Sequence, residues 1–302
     1  MRFNSRARLD RSQIQSRRGS GGGPGFPVGG GGGMKAGGGI GGVIILIIVV
    51  LLNGGLLDTG NPAGGGPLST RGDLSHCATG QDANNDPDCA RLAVVNSIQS
   101  FWSEALPKQS NRDYRRGVTV IFADQVGTGC GAATSDVGPF YCPTDEQVYL
   151  DTTFFKDMLE GKLGGRGGDF AEAYVLAHEY GHHIQNLLGI MGQVRTQQGP
   201  ASDAVRLELQ ADCLAGMWTA YATETVDEDG QVIIEELTAR DVREALGAAR
   251  AVGDDRIQQR TTGRVKPDAW THGSAEQRMR WFMTGKDGGN LGACDTFAAG
   301  QL

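Results

Sequence analysis

Residues 170–188 read FAEAYVLAHEYGHHIQNLL, and within them His178-Glu179-Tyr180-Gly181-His182 spells the pattern H-E-x-x-H. The apolar spacing predicts one long helix, Phe170 to Leu188, stopping near Gly189. Each helical residue turns about 100°, so positions four apart differ by only about 40° and both imidazoles project from one face. Such a pair can chelate one divalent cation. Glu179 stands about 100° round from His178, beside the ion rather than on it, where a carboxylate can take a proton from water. His183 lies about 140° from His178 and cannot join the pair. The plain alternative, histidines merely packed or exposed, loses ground because further ligands occur where a site needs them.

A catalytic zinc site takes three protein ligands and keeps one position open. Glu208-Leu209-Gln210-Ala211-Asp212 follows on the next predicted helix, far enough along for a loop to turn and the second helix to cross the first. Glu208 and Asp212 again share a face. The favoured reading gives Glu208 the metal and makes Asp212 the acceptor for a ligand imidazole N–H, which fixes the tautomer. The reverse, Asp212 as ligand, stays open, as does an amphipathic helix with two solvated carboxylates. Attack of metal-activated water on a carbonyl would also need a donor for the charge that builds on its oxygen. His272, in Thr271-His272-Gly273, is the best candidate, with Tyr180 and Arg278 behind it; a helix-start or packing role is the alternative.

Charge is unevenly spread. The first 35 residues carry seven basic side chains against Asp10 alone, whereas the whole 302-residue chain has a net charge of −7. With 21 of the 48 glycines within residues 1–66, the basic part should not bury enough to fold, and residues 1–35 are expected to be a disordered, cytoplasmic tail. The acidic remainder argues against nucleic acid as a partner. Residues 36–57 are uncharged and contain IGGVIILIIVVLL (Ile40 to Leu52), a transmembrane anchor of marginal length. A cleaved secretory signal fits less well, because the charged region before it is too long and no small-x-small site follows. The lysine and arginine excess before the anchor places the N-terminus inside and the domain outside. Residues 58–75 read as a flexible stalk, leaving 76–302 as the domain.

All six cysteines follow the anchor, an even number suited to an oxidising compartment. Proximity favours Cys77–Cys89 and Cys130–Cys142, leaving Cys213–Cys294. Zinc ligation by these thiols competes weakly, since no C-x-x-C pair is present. A helix is predicted from Asp88, ended by Pro107, then strands at Gly117–Asp124 and Val148–Asp151, with a short helix at Thr153–Leu163. Further helices are expected from an Asp203 N-cap to about Thr223, over Thr238–Val252 and over Ser274–Thr284, with a loop or hairpin at Val226–Glu236. Few early strands followed by several helices indicate α+β.

HEYGHH, RLELQADCLAGMW (206–218), THGSAEQRMRWF (271–282) and ACDTF (293–297) together resemble a bacterial family of membrane-anchored neutral zinc metallopeptidases. The similarity extends to RLDRSQIQSRRG (8–19), the apolar anchor and the GCG…GPFYCP…VYLD stretch, nearly the whole chain. The resemblance implies a zincin-like domain with a small sheet and active-site helices. It implies Zn2+ on His178, His182 and Glu208, Glu179 as general base, and a peptide or protein substrate. It also suggests that the strand Gly117–Asp124 borders the cleft and pairs with an extended peptide. The rival function is a zinc-binding envelope scaffold with a protease-like fold and no peptidase activity. The intact Glu179 counts against it, because a purely structural ion has no use for a base.

Overall fold

The structure is a computed structural model that describes residues 1–18, 74–165 and 167–302. Its frame is a four-stranded sheet in the order β2-β3-β7-β6, built from Ile14–Ser16, Val118–Phe122, Gln147–Asp151 and, as β6, Phe140–Cys142. β2, β3 and β7 run parallel, while β6 is antiparallel to β7. Side chains alternate between the faces. Ile121, Tyr141, Val148 and Leu150 join the main core, whereas Val120, Phe122, Phe140 and Tyr149 face a smaller core with Val126 and Ala133. Those last two belong to the hairpin β4–β5 (Gln125–Thr128 and Gly131–Thr134), tied to β6 by Cys130–Cys142.

Helices pack on the main-core face. After the single turn α1 (Gly80–Ala83), α2 (Pro87–Ser110) starts where Asp86 accepts from the N–H groups of Asp88 and Cys89. It does not end at Pro107. Proline so near a C-terminus disturbs little that follows, and the helix stops instead at Asn111, whose φ of 54° is left-handed. The site helices are α3 (Asp169–Leu188), closed by Gly189 at φ 74°, and α4 (Asp203–Tyr221), capped by Ser202 rather than by the expected Asp203. α5 (Ala239–Ala251) and α7 (Ala275–Gly288) follow expectation, each opened by a reciprocal capping pair, Thr238 with Asp241 and Ser274 with Gln277. The short polar α6 (Asp254–Thr262) was not foreseen.

Close helix contact depends on glycines. A Cβ on Gly216 would lie 2.0 Å from the Phe282 carbonyl oxygen, and one on Gly285 would lie 1.8 Å from that of Cys213. α4 and α7 therefore meet backbone to backbone, and the Cys213–Cys294 disulfide fastens the same junction. All three expected disulfides form, Cys77–Cys89 included. His76 and Asp86 lie close to that first pair, within 4.8 Å of one another donor to donor, but its thiols are consumed by the bridge.

The expected disordered tail requires correction. β1 (Arg2–Phe3) pairs antiparallel with β8 (Ile234–Glu236), and β2 adds in parallel to β3. Phe3, Ala7, Leu9 and Ile14 are all buried. Averaging composition over 35 residues hid them: the glycines begin only at Gly19, and the chain before it has an apolar face to bury. Asn96 of α2 holds the segment through both backbone groups of Asp10, and Arg18 pairs with Asp88. The N-terminal segment is thus part of the same body as the domain. A strand hydrogen-bonded into a sheet shares that sheet's side of any membrane, so a cytoplasmic N-terminus with an exported domain does not fit this fold. The glycine-rich run, the proposed anchor 36–57 and nearly all of the stalk lie outside the described residues. Among the described residues, no helix is long and apolar enough to cross a membrane.

Candidate metal centre

α3 passes between sheet and helices, and its residues divide accordingly. On the sheet side, Tyr180 bonds Thr119 and Gly117, and His183 donates Nε2–H to the Arg115 carbonyl (2.6 Å) and accepts from the Tyr141 hydroxyl (3.0 Å). His183 is a structural histidine, and Tyr180 points away from the cleft. On the opposite side, His178, Glu179 and His182 are buried against α4, where Gly181 lets the Ala211 backbone approach.

Glu208 meets both imidazoles. His178 Nε2 lies 3.3 Å from Glu208 Oε2 and His182 Nε2 lies 3.5 Å from Oε1, and donor atoms of all three residues fall within 4.8 Å of one another. Tetrahedral bonds of about 2.0–2.1 Å place ligand atoms about 3.3–3.4 Å apart. The spacing fits one ion, and the donor set, two nitrogens and one carboxylate, is that of a catalytic zinc. Each ring has its other nitrogen fixed. Asp212 Oδ1 accepts from His178 Nδ1 at 2.8 Å, and Gln185 Oε1 lies 2.8 Å from His182 Nδ1. The Gln185 amide nitrogen donates to Leu207 O and Gln210 Oε1, so its oxygen is the acceptor. In the neutral, metal-binding form each ring therefore keeps its proton on Nδ1, leaving the Nε2 lone pair on the Glu208 side for an ion.

Asp212 is itself pinned. Arg278 grips it with Nε to Oδ2 (2.7 Å) and Nη2 to Oδ1 (2.9 Å), and Tyr174 OH donates to Oδ1. With both oxygens occupied, it acts as the imidazole acceptor. Burial pushes its carboxyl up, but Arg278 and His178 outweigh that and hold it at about 2. Burial also opposes a charged His178, yet Asp212 and Glu208 raise it to about 9. Glu208 is buried, which alone would raise it, but His272 and the two ligand imidazoles bring it well below the usual carboxylate range. Glu179 is the exception. Burial dominates and leaves its carboxyl above the ordinary value.

His272 lies on the same cleft, with Nδ1 2.7 Å from Thr271 Oγ1 and 3.4 Å from Asp254 Oδ1. Burial lowers its pKa, but Glu208 and Asp254 more than compensate and raise it. Asp254 Oδ2 also accepts the backbone N–H groups of Thr271, His272 and Gly273, so one carboxylate shapes the whole loop. Arg278 is fully engaged with Asp212. Sequence reading missed Tyr174, Gln185 and Asp254. The first two sit four residues before His178 and three after His182, a helical spacing that could have exposed them; nothing in the sequence ties Asp254 to His272. The strand expected at the cleft, β3, lies between β2 and β7 with no free edge, and the cleft is bordered instead by Val137, Gly138 and Pro139 just before β6.

The family described as "Putative neutral zinc metallopeptidase" matches residues 1–297. The chain belongs to it. As a neutral zinc metallopeptidase family member the protein takes zinc as its cofactor, and the His178, His182, Glu208 cluster is able to hold it. The chain is 50% identical over 254 residues to the uncharacterized protein Rv2575 of Mycobacterium tuberculosis, covering 82% of this chain and 85% of that one. It is 41% identical over 243 residues to the uncharacterized protein YpfJ of Escherichia coli K12, covering 74% and 80%. No solved structure matches it.

Proposed function

We propose that this family member is a zinc-dependent peptidase in which His178, His182 and Glu208 hold the ion and Glu179 is the general base. The observation that carries the reading is a carboxylate within 3.3–3.5 Å of two imidazoles whose outer nitrogens are already hydrogen-bonded, with a second buried carboxylate next in sequence. Zinc held there would supply Lewis acidity to water and to a peptide carbonyl. Glu179 takes a proton from the attacking water and returns it to the leaving amine. Its raised proton affinity suits a group that must both accept and donate near neutral pH. His272 donates to the carbonyl oxygen as negative charge builds there, and Asp254 holds the ring in register. Asp212, Arg278 and Tyr174 keep His178 fixed, and Gln185 does the same for His182.

The three disulfides favour an oxidising compartment for the whole folded body, residues 1–18 included, with the apolar run 36–57 as its membrane contact. The test of the catalytic reading is a peptide digest by the full-length protein with and without a chelator, beside Glu179→Gln. The wild type should cut peptides only in the metal-loaded state. Glu179→Gln should retain one zinc and lose cleavage by roughly 10²–10⁴-fold. Zinc-loaded protein that cuts no peptide would support the scaffold instead.

A further inference from the structure

We infer that His76, Cys77, Asp86 and Cys89 form a second zinc site, which opens when a thiol reduces the Cys77–Cys89 bridge. None of the four belongs to the centre on α3 and α4. One donor atom from each lies within 4.8 Å of the others. The cysteine Cα atoms are 5.1 Å apart. Zinc bonds of about 2.3 Å hold two thiolates about 3.8 Å from each other, a separation that side-chain rotation can supply. His76 Nε2 stands 3.6 Å from Cys77 Sγ and 3.4 Å from Asp86 Oδ2, so imidazole, sulfur and carboxylate already converge. Asp86 divides its oxygens: Oδ1 accepts from the N–H groups of Asp88 and Cys89 at the start of α2, and Oδ2 turns to the ring. Two thiolates, an imidazole and a carboxylate suit zinc, whereas calcium and magnesium take oxygen ligands.

Both cysteines are buried, but the His76 side chain beside Cys77 is 54% exposed and that of Asp86 41%, so the site meets solvent through two of its own donors. Opening it is a two-electron exchange. Two molecules of a low-molecular-weight thiol attack in turn, the protein S–S bond breaks, and one disulfide of that thiol forms. The two protein thiols then release their protons to solvent as zinc binds. In reverse, that disulfide accepts the electron pair and departs as two thiols, and the closed bridge expels the ion. The ion has a task there. Ala78 O accepts from Leu9 N–H, Gly80 N–H donates to Ala7 O, and Ser75 O accepts from Arg11, so the N-terminal segment docks on the chain that the clasp closes. Zinc takes over from the bridge and keeps that segment in place.

The test compares the full-length protein, oxidised and after reduction with a phosphine, each equilibrated with zinc in the absence of oxygen. Reduced protein should hold one zinc more than oxidised protein, whatever the oxidised form holds, with a dissociation constant below about 1 μM. Co2+ in its place should give a near-ultraviolet thiolate-to-metal charge-transfer band. Cys77→Ser with Cys89→Ser should remove that band, and Cys130→Ser with Cys142→Ser should keep it. His76→Ala and Asp86→Asn leave the bridge and the α2 cap intact, and each should weaken the added zinc at least about tenfold. They decide the matter even if the serine pair fails to fold. Trypsin should cut at Arg6 or Arg11 faster in reduced, metal-free protein than after zinc is restored. Equal zinc content in the two redox states would overturn the site. So would an undiminished band in the Cys77, Cys89 serine pair, full affinity in both His76→Ala and Asp86→Asn, or trypsin rates indifferent to zinc.

Discussion

Asp212 shows how much one buried carboxylate carries. It receives Nδ1–H of His178, two donors of Arg278 and the Tyr174 hydroxyl, and no part of it is exposed. Asp212→Ala would leave Arg278 buried without its partner, which should cost about 3–5 kcal/mol of stability in chemical denaturation. Gln185→Ala removes only a neutral acceptor from His182. It should lower zinc affinity about 10–100-fold in a competitive chelator titration while shifting stability far less. That His178 and His182 share one helix face was legible because helical spacing is rigid. Which of Glu208 and Asp212 meets both imidazoles was less so, since both face the same way; Arg278, arriving from a helix 66 residues further on, takes Asp212. Asp254 was invisible for the same reason, lying 18 residues before the ring it steadies.

At the level of elements, the site depends on three helices held at backbone contact. Glu208 lies on α4, and α4 is positioned by α7 through Gly216 and Gly285. Gly216→Ala would press a methyl group into the Phe282 carbonyl and force the helices apart. It should destabilise the protein by about 1–3 kcal/mol in urea unfolding, with reduced zinc affinity although no ligand is altered. An alanine there that leaves both quantities unchanged would mean the contact is softer than described. The long helices were readable from periodicity and caps, with errors only at their ends, whereas the short polar α6 offers too little apolar periodicity to be read. Strand roles were not. The apolar Val118–Phe122 reads equally well as an edge or a centre strand, and only the docking of Ile14–Ser16 beside it makes it interior.

For the molecule as a whole, the N-terminal segment changes the topology. With β1 and β2 in the body of the domain, an Arg6→Cys and a Glu228→Cys protein should react alike with a membrane-impermeant thiol reagent in intact cells; opposite outcomes would separate the segment from the domain. The Asp254 loop adds a pH dependence. Burial pushes the Asp254 carboxyl up, but its bonds with His272 and the loop N–H groups prevail and set it below 3.8. A depressed carboxylate stabilises the fold above its unfolded pKa and loses that contribution as pH falls through the folded value. Unfolding midpoints should therefore drop on acidification below about pH 4, and less steeply in Asp254→Asn.

Zinc-edge anomalous diffraction from crystals of the zinc-loaded protein locates the ion directly. A single peak should lie within about 2.0–2.2 Å of His178 Nε2, His182 Nε2 and a Glu208 oxygen. A peak on Asp212, or one beside the Cys77–Cys89 clasp with none at the imidazole pair, would contradict the centre described above.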